Sequence, residues 1–555
     1  MDGVKPLSLG GLQPGRAGAT TIVGGIAVLI AVPIVVIVAR VGADSDGLWQ
    51  HLASTVLPEY LRNTLLLGLG VAALTLLIGV GTAWMVTLCR FPGASVFRWA
   101  LLLPFAIPTY LGAYAYTDLF QYSGPFQTWL RDIFGWQAND YWFPEVRSLS
   151  GAILVLSLAL YPYVYLAARA AFVEQSVCAL EVGRTLGLGP WGSFFRIALP
   201  LVRPSIVAGL ALVLMETLAE FGAVEYCAVD TLATGIYRAF KLPEPHALTA
   251  AAQLSACLLV PIVLLLALEA WSRRTARFHH TSVRYRRIPS WPLRGIKAGL
   301  AFLACATPVF LGFVLPFSTF VVGTIRGGDR RAFETFATIG GNSVFLAALA
   351  SVVAVVLAGL VAYACRRHPT TLHLALSRVA GIGYAIPGAV IAIGVLIPLI
   401  WLDQKINAVF GIGLLFTGSV AAVIYGYQTR FFAVSLNLIS AGLTRIQPTI
   451  DDAARTLGAS PARTLGRVHL PMLKGTLLGA LLLVFVDVIK ELPVTLILRP
   501  FNFETLAVRV YQLASDERLA EASTGALAII LIGLVPVVFM SRMLDRARPG
   551  EEDLG

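Results

Sequence analysis

Residues 181–200 read EVGRTLGLGPWGSFFRIALP, and residues 452–471, 271 positions later, read DAARTLGASPARTLGRVHLP. Eight of the twenty positions are identical: Arg184/Arg455, Thr185/Thr456, Leu186/Leu457, Gly187/Gly458, Pro190/Pro461, Arg196/Arg467, Leu199/Leu470 and Pro200/Pro471. Each copy predicts a short helix, a turn and a second short helix. Glu181 and Asp452 fall early in the first helix, where a carboxylate meets the positive end of the helix dipole. Gly187 and Gly458 suit the left-handed conformation that ends it. Pro190 and Pro461 suit the first position of the next helix, with Ser460 as an N-cap in the second copy. Pro200 and Pro471 mark where that helix hands over to the following apolar run.

Everything around these two polar segments is apolar. The chain has 555 residues, 57% hydrophobic and 13% charged, with a mean hydropathy of +0.78, whereas soluble domains carry roughly 25% charged residues. Runs such as TIVGGIAVLIAVPIVVIVA (21–39), SGAILVLSLALYPYVYLAA (150–168) and STGALAIILIGLVPVVFM (523–540) approach the ~20 residues that cross a bilayer as a helix. Twelve such spans are expected, at 20–41, 63–89, 97–121, 150–173, 202–226, 248–271, 294–322, 342–365, 376–401, 412–437, 474–498 and 523–543. Helices are expected rather than a barrel, because the runs are continuously apolar and lack the alternation of short strands. The first run is read as a span, since its apolar core is longer than that of a secretory signal.

Net charge is +11, and its placement orients the chain. Between the sixth and seventh spans lies a basic loop carrying Arg273, Arg274, Arg277, Arg284, Arg286, Arg287, Arg294 and Lys297. Such a loop between spans reads as a cytoplasmic anchor rather than a nucleic-acid patch. With twelve spans, both termini are then cytoplasmic. Six scattered cysteines read as small packing residues, and the seven histidines show no metal-ligand spacing.

The duplication extends beyond the polar segments. NTLLLGLGVAALTLLIGVGTAW from Asn63 is echoed by NSVFLAALASVVAVVLAGLVAY from Asn342, and Ala106-Ile107-Pro108 by Ala385-Ile386-Pro387, both at an offset of 279. Thr231-Leu232-Ala233 and Tyr237 return as Thr505-Leu506-Ala507 and Tyr511, at an offset of 274. Offsets that drift slightly without resetting indicate duplication of a whole unit. The expected organisation is one repeat over 1–275, a basic linker over 276–293 and a second repeat over 294–555. Six spans return the chain to its starting side, so the repeats are parallel and both polar elbows face the cytoplasm.

The spans after the elbows hold paired acids. Glu216 and Glu220 stand four apart, and Asp487 and Glu491 occupy the equivalent places at an offset of 271; residues four apart share a helix face. An acid at mid-span costs about 2.5–3.5 kcal/mol on insertion scales, so these residues are expected to face the protein interior or a water-filled path. A ring of carboxylates suits a hard, highly charged cation. The same acids also suit pairing with Lys490, or capping backbone broken near Gly222 and Pro493, where they would shape a gate. Tyr161, Tyr163 and Tyr165 in the first repeat and Tyr425 and Tyr427 in the second are candidate phenol oxygens beside them, with packing or interface anchoring as the other role open to aromatic residues in membrane helices.

The elbows resemble the coupling motif of ABC importer permeases, E-A-A-x-x-x-G followed by hydrophobic-x-L-P. Gly187, Gly458 and the two Leu-Pro endings match, while Glu181-Val182-Gly183 and Asp452-Ala453-Ala454 depart from the opening triplet. The resemblance covers nearly the whole chain. It implies an all-α membrane protein of the type I importer permease fold in the bacterial inner membrane. It further implies that Glu181, Arg184, Gly187, Pro200, Asp452, Arg455, Gly458 and Pro471 couple to two separate ATPase subunits, whose closure drives alternating access. ATP and magnesium would belong to those partners. This chain, with no Gly-Lys dipeptide, has no phosphate-binding loop of its own and is expected to bind no cofactor. An external binding protein would deliver the substrate. The stretches LPFAIPTYLGAYAYTDLFQYSGPFQTWLRDIFGW, YWFPEVRSLSGAILVLSLALYPYVYLAARAAF and METLAEFGAVEYCAVDTLATGIYRAF are similar to those of fused ferric-iron permeases. On that resemblance Glu216, Glu220, Asp487 and Glu491 would meet transported ferric iron, with thiamine or another small organic solute as the alternative cargo. An ion-coupled secondary transporter also uses repeats and intramembrane acids but has no need of an ATPase dock. An enzyme is disfavoured, because no activated nucleophile or paired metal-ligand motif occurs.

Overall fold

A computed structural model of the chain describes residues 14–137, 140–174, 185, 187–244, 246–275, 290–327 and 332–546. In a bilayer every backbone N–H and C=O must be satisfied within the protein, and helices do this locally. Among the described residues, ten helices are long and apolar enough to cross a membrane, from Ala17–Ala39 to Leu519–Val538. Ala94–Ala106 with Thr109–Phe134 forms a further candidate, bent by 90°. The remaining expected span, 412–437, corresponds to Val420–Thr444, which begins eight residues later. That helix is less apolar than the rest, because Gln428, Thr429 and Arg430 lie buried at its middle.

Its late start has a physical cause. Asp403, fully buried, accepts the N–H groups of Leu415, Phe416 and Thr417 at 3.1, 2.9 and 2.7 Å. The carboxylate thereby pins residues 415–417 as a loop, and Ser419 caps the helix by accepting the Ala422 N–H at 3.3 Å. Ser148 caps the equivalent helix Leu149–Glu174 in the first repeat, accepting the Gly151 N–H at 3.2 Å. These two caps, 271 positions apart, fix the register between the repeats.

Other contacts recur with the same symmetry. Asn63 donates to the Asp230 carbonyl at 3.0 Å, and Asn342 to the Glu504 carbonyl at 3.2 Å. Thr64 accepts the Leu232 N–H at 3.0 Å, and Ser343 the Leu506 N–H at 2.7 Å. The repeats are also intertwined. The helix Pro14–Ala39, first in sequence, packs against Thr371–Ala380 and Gly388–Phe410 of the second repeat, where the Tyr425 hydroxyl donates to the Leu29 carbonyl at 2.7 Å. Conversely, Ile296–Gly327 lies beside Thr109–Phe120 of the first repeat, and Tyr116 donates to the Leu311 carbonyl at 3.0 Å. Sequence divides the chain into two blocks, but each block lends its first helix to the other.

Candidate functional site

The helices that leave the elbows, Leu199–Ala219 and Leu470–Ile489, both stop earlier than the continuous spans 202–226 and 474–498 expected from hydropathy. Each is followed by a break and a short helix, Gly222–Tyr226 or Pro493–Leu498. At the first break Glu220 is extended (φ −71°, ψ 124°). Its carboxylate turns back, accepting the Ala223 N–H at 2.8 Å on one oxygen and the Thr109 hydroxyl on the other. Glu491 repeats the arrangement, accepting the Val494 N–H at 3.2 Å. Both acids therefore satisfy orphan donors at the start of a short helix, three residues on from themselves.

Between the two breaks lies a cavity of about 120 Å3 lined by both repeats. Its walls pair by symmetry: Glu216 with Asp487, Glu220 with Glu491, Phe105 with Tyr384, and Leu160 with Phe431. All four acids singled out by their spacing are thus brought to one place. The cavity also holds two cations. Arg430, only 8% exposed, places Nη1 3.1 Å from Glu491 Oε1 and Nη2 3.9 Å from Glu216 Oε2, joining one acid from each repeat. Lys490 lies 2.9 Å from Asp487, one turn away on its own helix.

These cations break the symmetry. The positions equivalent to Arg430 and Lys490 in the first repeat are Ala159 and Ala219, which also line the cavity. Where the first repeat offers the Thr109 hydroxyl to its acid, the second has Gly388, and a Cβ there would collide with Arg430 Nη1 and Glu491 Oε1. The missing side chain makes room for the guanidinium. A buried charge is tolerated only when paired; with Arg430 and Lys490, each of Glu216, Asp487 and Glu491 has a cationic neighbour, and Glu220 has two hydrogen-bond donors.

The tyrosines fall differently from expectation. Tyr161 is fully buried and does not line the cavity. Tyr425 reaches the Leu29 carbonyl and serves the contact between repeats. Of the candidate tyrosines Tyr163 does line the cavity, joined there by Tyr110 and Tyr384, since the face of a helix that turns inward is set by packing rather than by the number of tyrosines on it. Two polar atoms at the cavity have no hydrogen-bond partner among the described residues, the Tyr110 hydroxyl and Arg430 Nε. The sequence-based ring of acids around one ion is not assembled in this conformation: among the described residues no three His, Cys, Asp or Glu side chains are placed to share a metal.

The described parts of the elbows follow the repeated segments, except that Asp452 stands midway along Pro448–Thr456, where Asp451 takes the first turn; the opening helix of the first elbow lies outside the described residues apart from Thr185. Gly187 and Gly458 take left-handed φ values of 76° and 74°. Helical turns open on Pro190 and Pro461, and Ser460 accepts the Arg463 N–H at 3.3 Å. Each then widens into one π-helical turn, Phe194–Ala198 or Leu465–His469, before the long helix with Pro200 or Pro471 in its second position. Asp452 and Arg455 pair with each other at the surface; Glu181 and Arg184 lie outside the described residues. Spacing did not single out the residue that fastens the second elbow. Asp451 takes Arg366 Nε at 2.9 Å on one oxygen and His469 Nε2 at 2.6 Å on the other.

Comparison with known proteins adds the following. The model of the family described as binding-protein-dependent transport system inner membrane component matches residues 95–277 and, a second time, 354–550. The Fe(3+)-transport system permease protein FbpB 2 of Haemophilus influenzae is 24% identical over 522 residues, which cover 92% of this chain and 96% of that protein. The sulfate transport system permease protein CysT of Escherichia coli is 27% identical over 233 residues, 41% of this chain and 81% of that protein. The molybdenum transport system permease protein ModB of the same organism is 32% identical over 170 residues, 30% of this chain and 70% of that protein.

Proposed function

Because this chain belongs to the family of binding-protein-dependent transport system inner membrane components, twice along its length, we propose that it carries ferric iron inward through the cavity between its repeats. The coarser identity is plain: a duplicated, multi-pass permease of an ABC importer in the inner membrane. The finer reading is carried by one observation, the convergence of Glu216, Glu220, Asp487 and Glu491 on a single cavity at the junction of two matched helix breaks. Hard trivalent cations favour oxygen donors of this kind. The end-to-end similarity to a Fe(3+) permease supports the same cargo.

In this mechanism the elbows face the cytoplasm, together with both termini, and each seats in one of two ATPase subunits. Exposed apolar side chains at the elbows, Leu457 at 86% and Trp191 at 64% exposure, suit burial in a partner. Closure of the ATPases then swings the long helices that begin at Leu199 and Leu470. These helices end at the cavity, so movement at the elbow opens or closes the acids to one side of the membrane. An external binding protein supplies the iron. ATP and magnesium stay on the partner subunits.

A second cargo is favoured by a specific observation: Arg430 and Lys490 would suit an oxyanion, and the sulfate and molybdenum permeases are relatives. Against it, both cations are already committed to carboxylates. The test is uptake by proteoliposomes holding the permease, its ATPases and its binding protein, with labelled ferric iron compared against sulfate, molybdate and thiamine. ATP-dependent iron uptake that Glu216→Ala with Asp487→Ala abolishes, in an intact complex, is the expected result. Unchanged uptake in that double variant would remove the cavity from the route.

A further inference from the structure

We infer that Arg430 is a built-in substitute for the transported cation, holding the acids of both repeats together when the cavity is empty and requiring displacement before a polyvalent cation can bind. This rests on the proposed route through the cavity. The geometry is specific: the guanidinium lies against Glu491 of the second repeat at 3.1 Å and against Glu216 of the first at 3.9 Å. It is 8% exposed, and its Nε has no acceptor among the described residues, so its position is set by the acids rather than by a saturated hydrogen-bond network. Lys490 differs, because its contact with Asp487 stays within one turn of one helix. Ala159, the first-repeat equivalent of Arg430, could supply no such bridge.

The substitution has a clear electrostatic purpose. Four carboxylates lining one small cavity away from bulk water repel, and they would capture any small cation that entered. A tethered guanidinium neutralises part of that charge without occupying the site irreversibly. When the repeats separate, the longer contact to Glu216 is the one that spans them and the first to break. The acids then become available to a hard trivalent ion, whose charge outcompetes one guanidinium. On reclosure Arg430 returns, and its return helps expel the cargo. Arg430 is therefore a positioning and specificity-determining residue, placed where the acids alone would make a trap.

Terbium(III), a luminescent hard trivalent cation, is the probe, added to the complete permease–ATPase complex without nucleotide. Tyr110, Tyr163 and Tyr384 at the cavity wall can sensitise its emission. Arg430→Gln is expected to bind terbium at least tenfold more tightly than the unaltered complex, Lys490→Gln to change it far less, and Arg430→Gln with Glu216→Gln to return it toward the original value. Iron uptake by Arg430→Gln should fall at least tenfold, because cargo is retained. Gly388→Ala keeps every charge but crowds the guanidinium, and should tighten terbium binding in the same direction; it carries the test if Arg430→Gln does not assemble. Equal terbium affinity in the assembled variants and the unaltered complex would overturn the role of Arg430. That failure is distinct from failure of the route itself, which would show as normal iron uptake after Glu216→Ala with Asp487→Ala.

Discussion

Around the first elbow, Trp84 packs its indole against Phe194 at 4.8 Å, Phe172 at 5.6 Å and Trp291 at 5.5 Å. Around the second, the matching positions hold Tyr363 in place of Trp84 and Leu465 in place of Phe194. There Tyr363 donates to the Pro461 carbonyl at 2.9 Å, and Asp451 draws in Arg366 and His469. Arg366 also donates to the Leu443 and Ile446 carbonyls. The first repeat has Thr87, Leu180 and Ala198 where this charged cluster stands. One elbow is thus held by aromatic packing and the other by ion pairs. What both keep is the left-handed glycine, the proline that opens the next turn and the π-helical turn after it. Among the described residues, duplication has preserved these backbone features while the fastening beneath them diverged, as the proposed docking to two equivalent partners would demand.

The largest expected effect that could break this comparison is at Trp84. Its replacement by alanine removes a buried aromatic from the centre of the first cluster, a change of about 3–5 kcal/mol. Limited proteolysis followed by mass mapping should show faster cleavage around 185–198 with the second elbow unaffected. Equal loosening of both elbows would mean that they are not fastened independently. A smaller loss is expected from Asp451→Ala, about 2 kcal/mol, because Arg366 keeps its two carbonyl acceptors. Here cleavage should rise around 457–469 only. Equal loosening of the first elbow would contradict the contrast between packing and charge.

These contrasts also mark how far residues alone could lead. The elbows were legible because their glycines and prolines act through local backbone rules: Gly187 and Gly458 both take the left-handed conformation, and Gly458 does so just past the end of Pro448–Thr456. The acids were legible because intramembrane charge is costly and because Glu216, Glu220, Asp487 and Glu491 recur at one offset. Their partners were not. Arg430 is 61 residues from Glu491 in sequence, Thr109 is 111 from Glu220, and Asp451 is 85 from Arg366; no local rule links such pairs. The breaks were legible from Gly222 and Pro493, near which the acids were expected to cap broken backbone; hydropathy alone hid only how early each span ends, since the residues beyond Glu220 and Lys490 stay apolar. Interleaving of the repeats leaves no trace in composition at all.

The smallest effect sharpens the comparison from the opposite side, where the repeats agree. Asn63 and Asn342 each donate a side-chain N–H to the carbonyl of an acidic residue, Asp230 or Glu504, at 3.0 and 3.2 Å. The following residue in each case, Thr64 or Ser343, accepts the backbone N–H of Leu232 or Leu506. Two adjacent side chains thus tie each repeat's second spanning helix, Leu57–Leu88 or Ala332–Arg367, to the loop before Leu232–Lys241 or Leu506–Ser515. A neutral hydrogen bond of this type contributes about 1 kcal/mol, so Asn63→Ala and Asn342→Ala should lower the thermal midpoint in detergent by the same small amount. Their combination should be additive, because the sites share no partner. Unequal single effects would mean that the surroundings of these bonds have diverged as the elbows have, and that the shared framework of the two repeats is narrower than the matched contacts imply.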